Sequence, residues 1–309
     1  MPMIELENVS KHFGELKAVD SLNLHIREGE IFGFIGPNGA GKTTTLRMLA
    51  TLLRPTSGKI RIAGIDPETE PGEVRRIIGY MPDQFGVYPD LVVWEYLDFF
   101  GAAYQIPPNQ RARLIDDVLE LTDLGGKKFD LVEALSRGMK QRLCLAKTLL
   151  HDPALLLLDE PASGLDPRAR IEIRELLKEL KKMNKTILIS SHILAELSDF
   201  CTSIGIIERG QLVIAGSISD IQTKMNQTRL YRITALDPLP MVEAILKQIG
   251  IDSVETKLNY IEFACNRTDE EMASILQTLV RENLKITSFQ PVQANLEDLF
   301  MKITRGEVA

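Results

Sequence analysis

The apolar run Ile31-Phe32-Gly33-Phe34-Ile35 leads directly into Gly36-Pro37-Asn38-Gly39-Ala40-Gly41-Lys42-Thr43, and the helical pattern Thr44-Thr45-Leu46-Arg47-Met48-Leu49 follows at once. The middle segment fits G-x-x-x-x-G-K-[ST] without a mismatch. Strand, glycine loop and helix in that order leave few folds open. They predict an α/β chain in which a buried strand feeds a helix whose N-terminus faces an anion. Glycine at 36, 39 and 41 lets backbone N–H groups curl around phosphate, and the helix dipole adds positive potential. Lys42 is suited to the β- and γ-phosphates of a nucleotide, and the Thr43 hydroxyl to magnesium. A chance glycine turn is the plain alternative, and the flanking strand and helix argue against it.

Two further runs carry chemistry. Leu155-Leu156-Leu157-Leu158-Asp159-Glu160-Pro161 reads as a buried strand ending in two carboxylates. About a helix earlier stands Leu135-Ser136-Arg137-Gly138-Met139-Lys140-Gln141-Arg142. Its Ser and Gly form a small, polar helix start that backbone can bring close to phosphate. A chain with its own phosphate loop has one obvious place for that start, across the nucleotide of a second subunit. Arg137 either adds a cation near that triphosphate or is a solvated side chain.

Together these runs resemble the ATPase subunits of ATP-binding cassette (ABC) transporters, over roughly residues 1–216. The resemblance implies a P-loop NTPase domain with a mixed sheet, an antiparallel β subdomain and a helical subdomain. It also implies ATP and Mg2+ as the ligands. Residues 36–44 are then the nucleotide cradle, Pro37, Asn38, Ala40 and Thr44 included. Residues 135–139 stand at the family's LSGGQ signature; Arg137 and Met139 depart from it, while Ser136 and Gly138, the expected γ-phosphate contacts, are kept. Asp159 would hold magnesium and Glu160 would activate the attacking water as general base. Ser163-Gly164-Leu165-Asp166 looks like the D-loop, which places Asp166 beside a partner's phosphate loop. His192 looks like the switch histidine contacting the γ-phosphate, although a lone His at a strand end is commonly structural. Phe13 stands where the family stacks an aromatic on adenine; the plain alternative is a half-buried edge-strand Phe. One position departs: Asp83 occupies the Q-loop glutamine's place, with Gln84 next to it, and either residue could serve magnesium or water there.

Composition suits a globular protein of two domains, residues 1–218 and 219–309, with 44% hydrophobic and 26% charged residues. A net charge of -7 argues against nucleic acid as a general partner. The strongest apolar run, residues 154–158, suits a buried strand rather than a membrane span, and strand-like alternation from Ile4 onward leaves no signal peptide expected. Cys144, Cys201 and Cys265 lack metal or redox spacing and read as reduced, buried thiols.

Antiparallel strands are expected in the first thirty-odd residues, with Glu28-Gly29-Glu30 as a hairpin turn. Residues 85–150 read as mainly helical. Their aromatics, Tyr88, Trp94, Tyr96, Phe99, Phe100 and Tyr104, suit either a helix core or a groove for a membrane partner. Residues 168–182 predict an amphipathic helix with Ile171, Leu176, Leu180 and Met183 inward. Strands at 186–190 and 203–208 should complete a largely parallel sheet. Beyond 218 the order βαββαβ predicts a small α+β, ferredoxin-like domain, with a final helix at 296–303. Residues 296–300 resemble the closing segment of the drug- and lipid-export branch of the family.

The expected function is therefore that of an ATP-hydrolysing subunit. It would pair with a second copy of itself or a homologous ATPase subunit and power transport, with export favoured, through a separate transmembrane permease. The expected location is cytoplasmic, peripheral on the inner face of the membrane. A soluble ATP-switched module acting on ribosome or DNA is the alternative reading. A small-molecule kinase ranks last, because it leaves residues 135–139 without a purpose.

Overall fold

Alternating apolar residues near the N-terminus produce β1 (Pro2–Phe13) and β2 (Leu16–Arg27), an antiparallel hairpin that turns at Gly14, where φ is +60°. The hairpin expected at Glu28-Gly29-Glu30 is not formed. From that turn β3 (Ile31–Ile35) enters a different sheet, and β4 (Ser57–Ile62), reached after α1 (Lys42–Leu49), completes a three-stranded layer in the order β2-β1-β4. Burial explains the difference. Every residue of β3 is buried, which requires cover on both faces, whereas β2 is exposed at alternate positions along its second half. The computed structural model describes residues 2–84, 86–221, 229–251, 253–265 and 267–292. The chain forms two compact units, Met1–Ile218 and Ser219–Ala309.

In the first unit, α2 (Pro71–Ile77) and β5 (Ile78–Met81) precede a helical stretch of α3 (Val93–Ala103), α4 (Pro108–Leu121) and α5 (Arg137–Leu149). Then come β6 (Leu155–Asp159), α6 (Pro167–Lys182), β7 (Thr186–Ser191), α7 (Leu194–Ser198), β8 (Ser203–Glu208) and β9 (Gln211–Ser217). The main sheet has the order β5-β6-β7-β3-β8-β9. Neighbours from β5 to β8 are parallel, and β9 runs antiparallel on the edge beside β8. The leucines of β6 are buried throughout, as a strand between two others and covered on both faces demands.

Two helices differ from expectation. In α6 the inward residues are Ile173, Leu176, Leu177 and Leu180, whereas Ile171 and Met183 are about half exposed, at 51% and 53%. The buried stripe keeps the 3.6-residue period, but its centre lies two residues on from Ile171. In α3 the aromatic face divides: Tyr96 is fully buried, while Phe99 is exposed and meets the half-exposed Tyr88 edge-on at 5.8 Å. Tyr104 stacks on the His151 ring at 4.0 Å. The helix-core reading therefore holds for Tyr96, whereas Tyr88 and Phe99 are exposed.

The second unit contains β10 (Arg229–Ala235), α8 (Leu239–Gln248), β11 (Val254–Thr256), β12 (Ile261–Cys265), α9 (Asp269–Arg281) and β13 (Ile286–Val292). Its sheet order is β11-β12-β10-β13 with all neighbours antiparallel, the arrangement of a ferredoxin-like sandwich. Tyr231, Ile233 and Phe263 pack against Leu246 and Leu279 of the two helices. Thr268 and Glu271 form a reciprocal capping box that starts α9. The helix expected at 296–303 lies outside the described residues. All three cysteines are buried and unpaired.

Candidate active site

Strand order assembles the site. β6, β7 and β3 are neighbours and parallel, so their carboxyl ends open on one edge, where open α/β sheets bind ligands. β3 delivers residues 36–43, β6 delivers Asp159 and Glu160, and β7 delivers Ser191 and His192. The Gly36 N–H donates to the Ser191 carbonyl at 3.3 Å, tying the loop to the next strand.

The loop has the shape glycine permits. A Cβ on Gly36 would overlap the Ile207 carbonyl, and Gly41 has φ +108° with the Ala18 carbonyl against it. No side chain fits either position without moving backbone. The Lys42 side chain is only 6% exposed and turns back along the loop, donating from Nζ to the Gly36 carbonyl at 2.6 Å and the Pro37 carbonyl at 3.2 Å. Its Nζ also lies 3.4 Å from Oε1 of Glu160.

Glu160 is held from three sides. Its Oε2 meets Nδ1 of His192 at 2.7 Å, its Oε1 faces Lys42, and its N–H donates to Oγ of Ser190 at 3.0 Å. Its φ of +50° is unusual for a side-chain-bearing residue, the kind of local strain that surrounding contacts must hold. Ser190 Oγ also donates to Oδ1 of Asp159 at 2.7 Å. This fully buried serine thus links the Asp159 carboxylate to the Glu160 backbone N–H, a role that nothing in the string Ile189-Ser190-Ser191-His192 distinguishes from its neighbour Ser191.

Asp159 is buried, and burial pushes its carboxyl above the ordinary carboxylate range. Ser190 and Thr43 oppose that rise, and the charges of Asp83 and Glu160 add to it. Its Oδ2 has no hydrogen-bond partner. An orphaned carboxylate oxygen beside a threonine hydroxyl fits a hard divalent cation. Among the described residues no three His, Cys, Asp or Glu side chains gather as a metal site. A cation held by Thr43 and Asp159 would leave coordination positions open to water and phosphate oxygens, as bound Mg2+ commonly does.

A cavity of about 410 Å³ lies over the loop. Asn38, Gly39, Ala40, Gly41, Lys42, Thr43 and Thr44 line it, together with Asp83, Glu160, Ser163 and His192. Phe13, half exposed at the end of β1, stands at the same cavity beside Leu16. Gly36 and Pro37 are not among its lining residues. Asp83 borders this cavity and Gln84 does not.

Ser136, Gly138 and Asp166 are elsewhere. They line a separate, open surface of about 210 Å³. Ser136 caps α5 by accepting from the Met139 N–H at 3.3 Å, and Asp166 caps α6 by accepting from the Ala169 N–H at 2.9 Å. Arg137 is not simply solvated: its guanidinium turns onto Ser163 and Gly164 of its own chain.

Comparison with known proteins bears on both units. A family model described as "ABC transporter" matches residues 19–163, and one described as "ATP-binding protein DrrA1-3-like, C-terminal domain" matches residues 216–304. The linearmycin resistance ATP-binding protein LnrL of Bacillus subtilis is 30% identical over 308 residues, spanning 98% of each chain. The Nod factor export ATP-binding protein I of Ralstonia nicotianae is 33% identical, over 99% of this chain and 95% of the relative. A solved ATP-binding subunit of an ABC transporter is similar with a TM-score of 0.66 and 30% identity, covering 72% of this chain and 93% of that one. The ATP-binding cassette MJ0796, solved as a dimer in a post-hydrolysis state with ADP and Pi, is similar with a TM-score of 0.64 and 28% identity. That likeness covers 70% of this chain and 99% of that one.

Proposed function

This chain belongs to the family of ABC transporter ATP-binding proteins, an ATPase family, and from that premise we propose that it powers export through a separate membrane subunit. The single observation that best supports a paired mechanism is the separation of the two half-sites. Ser136 and Gly138 share a surface with Asp166, and the phosphate loop lines a different one. Two copies, or this chain and a homologous subunit, would close with each loop facing the other chain's Ser136 and Gly138.

In the closed pair residues 36–44 bind the triphosphate of ATP and Phe13 stacks on its adenine. Lys42 leaves Glu160 for the β- and γ-phosphates. Mg2+, when bound at Thr43 and Asp159 with Asp83 nearby, neutralises charge on those phosphate oxygens. Glu160 takes a proton from water as the water oxygen bonds to the γ-phosphorus. The bond from that phosphorus to the β–γ bridging oxygen breaks, leaving ADP and phosphate. His192 holds the Glu160 carboxylate in line.

The membrane half would be another chain, as in the family, with this one peripheral on the cytoplasmic face; among the described residues no helix is long and apolar enough to cross a membrane. Export takes its support from the relatives named for resistance and export. The test is affinity purification of tagged chain from solubilised membranes, with a wild-type and a Glu160→Gln form. A stoichiometric membrane protein in the eluate, and ATP-dependent dimers of the variant, are expected. Recovery with ribosomes or DNA instead would favour the soluble-module alternative.

A further inference from the structure

The geometry points to Arg137 and Gln141 as positioning residues that steady residues 161–163, and through them Glu160, from the helix that carries Ser136 and Gly138. Both lie on one face of α5, one turn apart, and both reach backbone carbonyls of the segment that follows Glu160. The Arg137 Nη2 donates to the Ser163 carbonyl at 3.3 Å. The Gln141 Nε2 donates to the Pro161 carbonyl from a side chain only 2% exposed. Contact at Gly164 is equally close: its φ is +68°, and a Cβ there would overlap the Arg137 guanidinium. Glycine is therefore needed twice over, for backbone and for side-chain clearance.

The same segment also borders a cavity. It is largely apolar, of about 170 Å³, and is bordered by residues 160–163 and by Ile173, Leu177 and Leu197. Ser163 belongs to this cavity and also to the one over the phosphate loop. A shift of the α5 start is thus transmitted through two charge-assisted or buried hydrogen bonds to a short, kinked strip ending at the proposed base. An arginine at 137 departs from the glycine of the family signature, so this tie is a property of this chain's own sequence. The inference rests on Glu160 acting as the base. It adds that engagement of Ser136 and Gly138 by a partner's nucleotide is reported to the same chain's Glu160.

The experiment compares steady-state ATPase of the full chain in wild-type, Glu160→Gln, Arg137→Ala, Arg137→Lys and Gly164→Ala forms, plus the Arg137→Ala/Gly164→Ala pair. Arg137 is exposed at a helix start, so its truncation leaves the fold intact, which is why it is chosen over the buried Gln141. Arg137→Ala should lower kcat about tenfold with KM for ATP within about twofold. Gly164→Ala should lose at least as much, because it strains the backbone as well as displacing the guanidinium, and the double variant should lose no more than Gly164→Ala alone. Arg137→Lys should recover part of the rate, since its ammonium still donates to a carbonyl. Unchanged kcat in Arg137→Ala would overturn the linkage, as would additive losses or a rise in KM alone, the last meaning that the guanidinium serves nucleotide. Full turnover in Glu160→Gln would instead overturn the base assignment, and the linkage with it.

Discussion

Nδ1 of His192 lies 2.7 Å from Oε2 of Glu160. The other oxygen of that carboxylate faces Lys42 at 3.4 Å, so one acidic group is shared between the phosphate-loop lysine and the histidine at the end of β7. Such sharing is possible only because β6, β7 and β3 are adjacent, although more than a hundred residues separate Lys42 from Glu160 in the chain. Oriented this way, the carboxylate has one oxygen held by a ring nitrogen and another ready to be released when phosphate draws Lys42 away.

Replacing Glu160 by Gln keeps the shape and removes the base. A positioned general base contributes about 10²–10⁴-fold, so kcat should fall by that range while nucleotide still binds. His192→Ala should cost less, about tenfold, because the base survives but is no longer oriented. Stopped-flow turnover alongside fluorescent-nucleotide binding separates the two effects. Equal losses in both variants would show that His192 does more than orient.

Asp159→Asn should abolish Mg2+-dependent turnover yet stabilise the nucleotide-free protein. Burial holds the Asp159 carboxyl above its ordinary value of 3.8. A raised group contributes stability that is fully present below that value and lost as pH rises through the raised one, so at neutral pH the buried carboxyl is a burden relative to the unfolded chain. Relieving it should lift Tm in chelator by about 2–4 °C per kcal/mol gained. The gain should vanish at pH 3, where the wild-type carboxyl is already protonated. A lower Tm in the variant at pH 7 would contradict this account.

Ser190→Ala breaks the bridge between Asp159 and the Glu160 N–H, at 2.7 Å and 3.0 Å respectively. Leaving a buried N–H and a buried carboxylate oxygen without this partner should destabilise the fold by about 1–3 kcal/mol. Urea denaturation reads this directly, and Ser191→Ala, whose hydroxyl serves Ile193 and Glu196 instead, is the control for the neighbouring position.

Tyr88 and Phe99 form an exposed aromatic pair on the helical part of the first unit. If that pair meets the membrane subunit, Phe99→Ala should leave the ATPase rate of the isolated chain within about twofold while reducing co-purification with membrane protein. A normal yield of complex would remove this face from the interface.

Much of the architecture follows from local sequence. A fully apolar pentapeptide at 31–35 and a leucine run at 155–158 can only be strands covered on both faces, and residues 36–43 need glycine where the backbone turns back on itself. The βαββαβ succession of the second unit was equally legible, because each element carries its own period and Thr268 with Glu271 marks the start of the second helix. The inward face of α6 was not: Ile171 and Met183 are apolar, but only the position of the sheet beneath determines which stripe of a helix is covered. Likewise Glu28-Gly29-Glu30 has hairpin composition, and only the demand of β3 for cover on both faces sends the chain to another sheet.

What the amino-acid sequence determined by itself was therefore the set of local parts, namely strand, phosphate loop, acidic strand end and serine-capped helix, since these depend on neighbours within a few residues. Tertiary structure alone decided how they meet. The order β6-β7-β3 brings Glu160 to Lys42 and His192, Ser190 joins the Asp159 carboxylate to the Glu160 N–H, and Arg137, though exposed, lies against Gly164. Each of these depends on strand order and helix packing, which arise from burial summed over the whole unit and leave no mark at any one position.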